Sequence, residues 1–260
     1  MDKKFDQMKR LFTLSLYLAI SKMKARYRKT IAGFIWVVMG PIIVFSVQSV
    51  VFKYILKIDI QNYSLFLLGG LLPWVFISSM LDMGIPSLVA SEALLKGFKL
   101  HPSILIISQA IDNFVNFLFS YFLLLIPTLV LTKAPLEGII FIPLSVLLLL
   151  WGGASLTWCL AILNVFYRDV KFVINFFMGV LFFLTPIAYP ISAIPENYRW
   201  IVDVNIIYGF IAPIRHIFYN FSINEYFYLL LKGFVFASAL TFVSFIYWRR
   251  RRNEFYAYLN

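Results

Sequence analysis

Long apolar blocks alternate with short polar segments along the whole chain. Six of these blocks approach the ~20 residues that a helix needs to cross the hydrocarbon core of a bilayer. We therefore predict an all-α integral membrane protein with six transmembrane helices. The predicted spans lie at about residues 31–56, 65–81, 111–131, 139–165, 172–188 and 228–248.

The first 30 residues follow a different pattern. Met8, Phe12 and Leu16 recur at steps of four between lysines and arginines. This arrangement predicts an amphipathic helix that lies in the membrane interface instead of crossing it. Residues 1–30 are thus interpreted as a cytoplasmic interfacial helix, and residues 31–260 as the transmembrane domain.

Two polar segments interrupt the apolar blocks. Residues 87–109 carry too many charges to span a membrane, and we interpret them as a cytoplasmic loop that contains a short helix. Residues 189–228 contain three prolines, and their apolar stretch at 201–214 is shorter than a helical span. We expect short re-entrant helices in this second segment, on the outer face before the last span.

Composition and charge support this topology. Hydrophobic residues make up 62% of the chain and charged residues only 13%, about half of the ~25% that is usual in soluble domains. The net charge of +11 is concentrated beside predicted spans, with nine basic residues in 1–30 and four in the run Arg249–Arg252. Basic residues that flank spans stay cytoplasmic, where they meet anionic lipid headgroups. Both termini are therefore placed in the cytoplasm, and the basic charge is attributed to membrane lipids and not to nucleic acid.

The sequence shows no catalytic motif. It has no phosphate-binding loop of the Gly-x-x-x-x-Gly-Lys-Ser/Thr type, and no histidine, cysteine or carboxylate cluster with metal-ligand spacing. The predicted spans also lack the mid-membrane ionisable groups that ion-driven carriers use. We expect no catalytic residue, metal or cofactor in this chain, so the energy for any transport must come from a partner.

Two features suggest contacts with other molecules, and each has two interpretations. Phe172, Phe176 and Phe183 lie on one helical stripe, which either packs against lipid and protein or offers rings along which sugar units slide. The loop at 91–102 holds Leu95 and Phe98 among lysines. It is either a solvated connector or a surface that docks in the groove of a partner.

Five fragments at four places in the chain carry a family resemblance: KARYR at 24–28 followed by GFIW at 33–36, LGGLLPWVF at 68–76, NVFYRD at 164–169 and TPIAYP at 185–190. Together they resemble the membrane subunits of type-2 ABC exporters that move O-antigen, capsular polysaccharide or teichoic acid. The resemblance implies a homodimer with the pore between two copies, each bound to one ABC ATPase subunit that holds ATP and Mg. It also implies a lipid-linked polysaccharide as cargo, with O-antigen as the leading candidate, and the cytoplasmic (inner) membrane as the location.

The resemblance also assigns roles to parts of the chain. Residues 91–102 correspond to the helix that couples transport to the ATPase, and the segment 189–228 corresponds to gate helices at the outer mouth. The candidate coupling residues are Glu92, Leu95, Lys96, Phe98, Lys99 and His101. The candidate channel residues are Trp36, Phe172, Phe176, Phe183 and Tyr189. The candidate contacts to lipid phosphate are Lys24, Arg26, Arg28 and Arg168, although Arg168 could equally form a structural ion pair with Asp169.

Two other functions remain open. A membrane-embedded glycosyltransferase or polymerase of lipid-linked sugars would need acidic catalytic residues, for which the outer segments offer only Glu196, Asp203 and Glu225. An ABC exporter of drugs or lipids would share the fold and differ in its cargo.

Overall fold

The computed structural model describes residues 2–27, 33–98, 100–132, 137–219 and 221–259, and every regular element in these residues is a helix. The α-helices are α1 Asp2–Tyr27, α2 Gly33–Ser49, α3 Tyr63–Gly84, α4 Ser87–Ala90, α5 Glu92–Phe98, α6 Ser103–Thr132, α7 Ile142–Phe166, α8 Val170–Leu184, α9 Trp200–Val204, α10 Ile206–Phe218 and α11 Ile223–Tyr258. A π-helix, Val50–Ile55, extends α2, and the 3₁₀ turns are Ile139–Phe141, Ile191–Ala193 and Glu196–Tyr198.

Four of the described helices are long and apolar enough to cross a membrane. They are α3, α6, α7 with its preceding 3₁₀ turn, and α11. The segment 196–204, which ends with α9, meets α10 at a bend of 97°, and this pair would make a fifth span if it crosses as one unit. The prediction of an all-helical, multi-span membrane protein is confirmed for the described part of the chain.

Helix α3 lies at the centre of the bundle. Most of its side chains are buried, and it packs against α2, α6, α7 and α10. Gly69 and Gly70 make the closest of these contacts possible, because a Cβ on Gly69 would lie 3.3 Å from the backbone of Arg215 in α10. A Cβ on Gly70 would lie 3.2 Å from the carbonyl oxygen of Ile187. These two glycines thus allow the turn after α8 and the helix α10 to pack directly against the backbone of α3.

The two ends of the bundle carry different structures. At one end, which we call the α5 end, a small core forms between α4, α5, α6, α7 and the last residues of α11. At the other end, the α10 end, the chain turns at 185–190 and enters α9 and α10. Helix α1 packs along α6, and its Lys22 donates to the Ser108 hydroxyl near the start of α6, which places α1 at the α5 end.

Helix α11 is longer than the predicted span at 228–248. It continues through Arg249–Arg252 to Tyr258, because Phe255 and Leu259 are fully buried in the core of the α5 end. The sequence pattern ended the span at the arginines but gave no sign of this docked extension.

Candidate functional site

Helix α5 forms the surface of the α5 end. Phe98, its last residue, is 74% exposed, although aromatic side chains are among the costliest to leave in water. Glu92 and Lys96 form an ion pair of 2.9 Å one turn apart on the same helix. The ring of Phe98 is therefore accessible at the end of α5, next to polar side chains.

One of the candidate coupling residues is buried, and one cannot be placed. Leu95 is fully buried among Leu88, Leu105 and Phe255, so its predicted availability to a partner is corrected: it holds α5 onto the bundle. Its position on the inner face follows from that packing, which the loop sequence alone could not specify. Lys99 lies outside the described residues.

His101 lies beside two tryptophan rings. Its ring stacks on Trp158 with centroids 6.3 Å apart and meets Trp248 edge-on at 5.4 Å. Its Nδ1 lies 2.7 Å from the Ser103 hydroxyl oxygen. Desolvation by these neighbours lowers the pKa of His101, so the ring is neutral at physiological pH. His101 therefore joins the coupling loop to α7 and α11 by packing and does not supply a charge.

The predicted aromatic stripe forms a single exposed face on α8. Phe172, Phe176 and Phe183 are 70%, 71% and 69% exposed, and no residue of α8 is buried. Tyr189 lies beyond the end of α8, and its hydroxyl donates to the carbonyl oxygen of Phe183 at 2.6 Å. The side chain of Trp36 is outside the described part. The described chain thus leaves one flank of α8 without protein cover.

The basic candidates for lipid phosphate have different surroundings. Lys24 and Arg168 are exposed, and Arg28 lies outside the described residues. Arg26 forms an ion pair of 2.5 Å with the buried carboxylate of Asp112 in α6. Burial lowers the pKa of nearby Lys22, and the Asp112 charge opposes this shift. Part of the positive charge of α1 is therefore used inside the protein, to hold α1 against α6.

This pair gives a stability prediction. Replacing Arg26 with glutamine leaves the Asp112 carboxylate buried without its partner, which we expect to cost about 2 kcal/mol, below the ~3–5 kcal/mol of a fully buried pair because Arg26 is partly exposed. Asp112→Asn should cost less, since a freed Arg26 can turn towards lipid headgroups. Thermal unfolding of the purified subunit measures both, and the double variant should be more stable than Arg26→Gln alone. Additive losses in the double variant would contradict an interaction between the two groups.

A network of polar side chains from three elements holds the turn at 185–190. Tyr63 at the start of α3 donates its hydroxyl to the Ala188 carbonyl at 2.9 Å, and Asn205 donates to the Thr185 hydroxyl at 2.8 Å. Arg215 in α10 donates to the Pro186 carbonyl and to the hydroxyl of Tyr208. The turn therefore depends on residues far from it in sequence.

Sequence reasoning named none of the residues of this network individually as a site residue, although Asn205, Tyr208 and Arg215 lie in the segment 189–228 that was assigned to gate helices. One signal was present, because a charged residue beside the apolar stretch at 201–214 is expensive in a membrane and often functional. Arg215 is that residue, and its relative exposure is only 6%.

Comparison with known proteins agrees with the architecture. The ABC-2 type transporter family matches residues 14–219. An O-antigen export system permease protein RfbA of Klebsiella pneumoniae is 27% identical over 86% of this chain and 88% of its own length. The protein of the same name from Myxococcus xanthus is 29% identical over 71% of each chain. A polysialic acid transport protein KpsM of Escherichia coli is 23% identical over 70% of this chain and 71% of its own. Because the family match covers most of the chain, including the helices of both the α5 end and the α10 end, this chain belongs to the ABC-2 type transporter family.

Proposed function

We propose that this chain is the membrane subunit of an ATP-driven exporter that moves a lipid-linked polysaccharide, O-antigen first, across the cytoplasmic membrane. The observation that carries the proposal is the similarity to O-antigen export permeases over most of the length of both proteins. The polysialic acid transport protein among the relatives supports a polymeric sugar as the class of cargo.

The proposal includes six spans. Helix α2 spans about 25 Å at 1.5 Å per residue, and its π-helical extension to Ile55 brings the helix close to the thickness of a bilayer core. Helix α8 reaches about 22 Å, and the turn at 185–190 completes its crossing. The pair α9–α10 then re-enters the membrane from the outer face and returns, which its 97° bend permits.

The subunit acts as a homodimer in this proposal. The stripe Phe172, Phe176 and Phe183 covers α8 on a flank where the described chain places no other helix. A second copy, with its own stripe facing the first, would enclose a conduit lined with aromatic rings. Such rings contact the C–H faces of sugars without fixing one position, so a polymer can slide past them.

Energy enters at the α5 end. Two copies of a separate ATPase subunit, which hold ATP and Mg, bind α5 around Phe98, Glu92 and Lys96. The chain itself then needs no ATP site. Closure of the ATPases moves α5, and the shared core with α6, α7 and α11 passes the movement to the spans.

The α5 end faces the cytoplasm, and so do both termini. Lys24 lies between Lys22 and Arg26, which contact the first turns of α6, and Arg251 lies over the ring of Phe166 at the end of α7. Basic residues beside spans favour the cytoplasmic side, which supports this orientation. Lys24, Arg28 and Arg168 would hold the phosphate groups of the lipid carrier, whereas the charge of Arg26 is balanced by Asp112.

Co-purification tests the proposal. A tagged subunit extracted in mild detergent should retain a stoichiometric ATPase, and lipid-linked glycan should stimulate the hydrolysis of ATP by the complex. If drugs or phospholipids stimulate ATP hydrolysis and glycan does not, the cargo is a drug or a lipid and not a polysaccharide. Recovery of the chain alone, with sugar-transfer activity, would reject the exporter.

A further inference from the structure

A cavity of about 280 Å³ lies at the α10 end, next to the network that holds the turn at 185–190. Aromatic rings of Phe66, Tyr208 and Tyr219 form part of its wall. Ser192, His216 and Glu225 add polar groups, and the guanidinium-bearing side chain of Arg215 lines it as well. Rings together with hydrogen-bonding groups are the lining of a site for a sugar unit.

The charge of Arg215 has no counter-charge in the described residues. Its contacts are the carbonyl of Pro186 and the hydroxyl of Tyr208, both neutral, and no carboxylate of the described chain lies within 4.0 Å of it. The guanidinium also lies over the rings of Phe66 and Tyr208, 4.9 and 5.0 Å from their centroids. Buried charges in proteins are normally paired, so a buried cation on a cavity wall indicates where an anion binds.

Glu225, the carboxylate that lines the cavity, does not supply this counter-charge. Its carboxylate is 3.8 Å from Nε2 of His216, and its side chain is 63% exposed. It therefore lies towards solvent and pairs with His216, not with Arg215. A bound sugar can still donate a hydroxyl to Glu225, since carboxylates accept hydrogen bonds.

We propose that this cavity binds one acidic sugar unit of the exported chain, whose carboxylate or phosphate pairs with Arg215 while its ring packs on the aromatic wall. This rests on the proposed function, because it assumes that a glycan passes the α10 end. A guanidinium presents two parallel N–H donors to such an oxyanion, and the rings of Phe66 and Tyr208 hold its plane. The cavity would then make the exporter favour acidic polymers at the outer mouth.

Binding to the subunit in lipid nanodiscs, without any ATPase, tests this site. The probes are a glucuronate oligosaccharide, mannose 6-phosphate, a glucose oligosaccharide and inorganic phosphate. We expect the two acidic sugars to bind at least tenfold more tightly than the neutral one, and inorganic phosphate to bind weakly because it has no ring face. Equal affinity for glucose and glucuronate oligosaccharides, or no binding of either, would overturn the proposal. Equally tight binding of inorganic phosphate would reduce the site to a simple anion site and overturn the sugar assignment.

Three variants locate the site. Arg215→Gln should remove the preference for acidic sugars, and Glu225→Gln should strengthen their binding several-fold by removing a like charge. Ser192→Trp keeps the Arg215 network intact and should block all sugar probes, so it remains informative if Arg215→Gln fails to fold. If the acidic sugars bind with unchanged affinity to both single variants, Ser192→Trp and Glu225→Gln, they bind outside this cavity and the proposal is overturned. Because no ATPase is present, these outcomes are independent of the co-purification that tests the exporter itself.

Discussion

Replacing Phe98 with glutamate is expected to abolish export while the subunit stays folded and in the membrane. Phe98 is the exposed end of α5, so the substitution disturbs no internal packing. In the proposed complex its ring is the apolar centre of the ATPase contact. Loss of such a central aromatic contact typically costs about 2 kcal/mol or more, which weakens the complex about 30-fold, and a buried carboxylate adds a desolvation cost.

The experiment compares surface polysaccharide, ATPase retention and subunit level in Phe98→Glu cells. Export should fall at least tenfold, and the ATPase should no longer co-purify. Glu92→Gln is the graded comparison within the same proposed contact: it removes a half-exposed ion pair with Lys96, worth about 0–1 kcal/mol, and should lower export far less than Phe98→Glu. Normal polysaccharide in Phe98→Glu cells would show that α5 is not the coupling element.

Leu95 shows why the coupling surface could be predicted only in part. The sequence places four large apolar residues in the segment 91–102, and a seven-residue helix has too few turns to reveal which of them face inward. That choice is made by Phe255 and Leu259, which lie about 160 positions later and pack under α5. A Leu95→Asp variant should therefore lose folded protein, unlike Phe98→Glu.

The long apolar helices and the stripe on α8 could be predicted because both depend on local periodicity. Residues with a repeat of 3.6 share a face whatever surrounds the helix. The partners of Arg26 and Arg215 could not be predicted in the same way. Asp112 lies 86 positions from Arg26, and Pro186 lies 29 positions from Arg215, so only tertiary packing brings them together.

The contact between α10 and α11 should be intolerant of a single added methyl group. A Cβ on Gly233 in α11 would lie 2.5 Å from the carbonyl oxygen of Gly209 in α10 and 2.7 Å from a methyl group of Leu148. A backbone carbonyl cannot turn aside as a side chain can, so the two helices must separate. We expect Gly233→Ala to destabilise the subunit by about 2 kcal/mol, within the ~1–3 kcal/mol usual for overpacking.

The same substitution at Gly40 provides the control. Gly40 lies within α2, where an added Cβ meets no neighbouring atom of the described side chains within 4 Å. Alanine there should be neutral or stabilising by about 0.5 kcal/mol, because glycine loses more backbone entropy in a helix. Thermal unfolding of both variants in one detergent should shift the midpoint down for Gly233→Ala and leave it unchanged or higher for Gly40→Ala. Equal shifts would mean that α10 and α11 can move apart freely. In that case the position of α10, and with it the cavity at Arg215, would not depend on this contact.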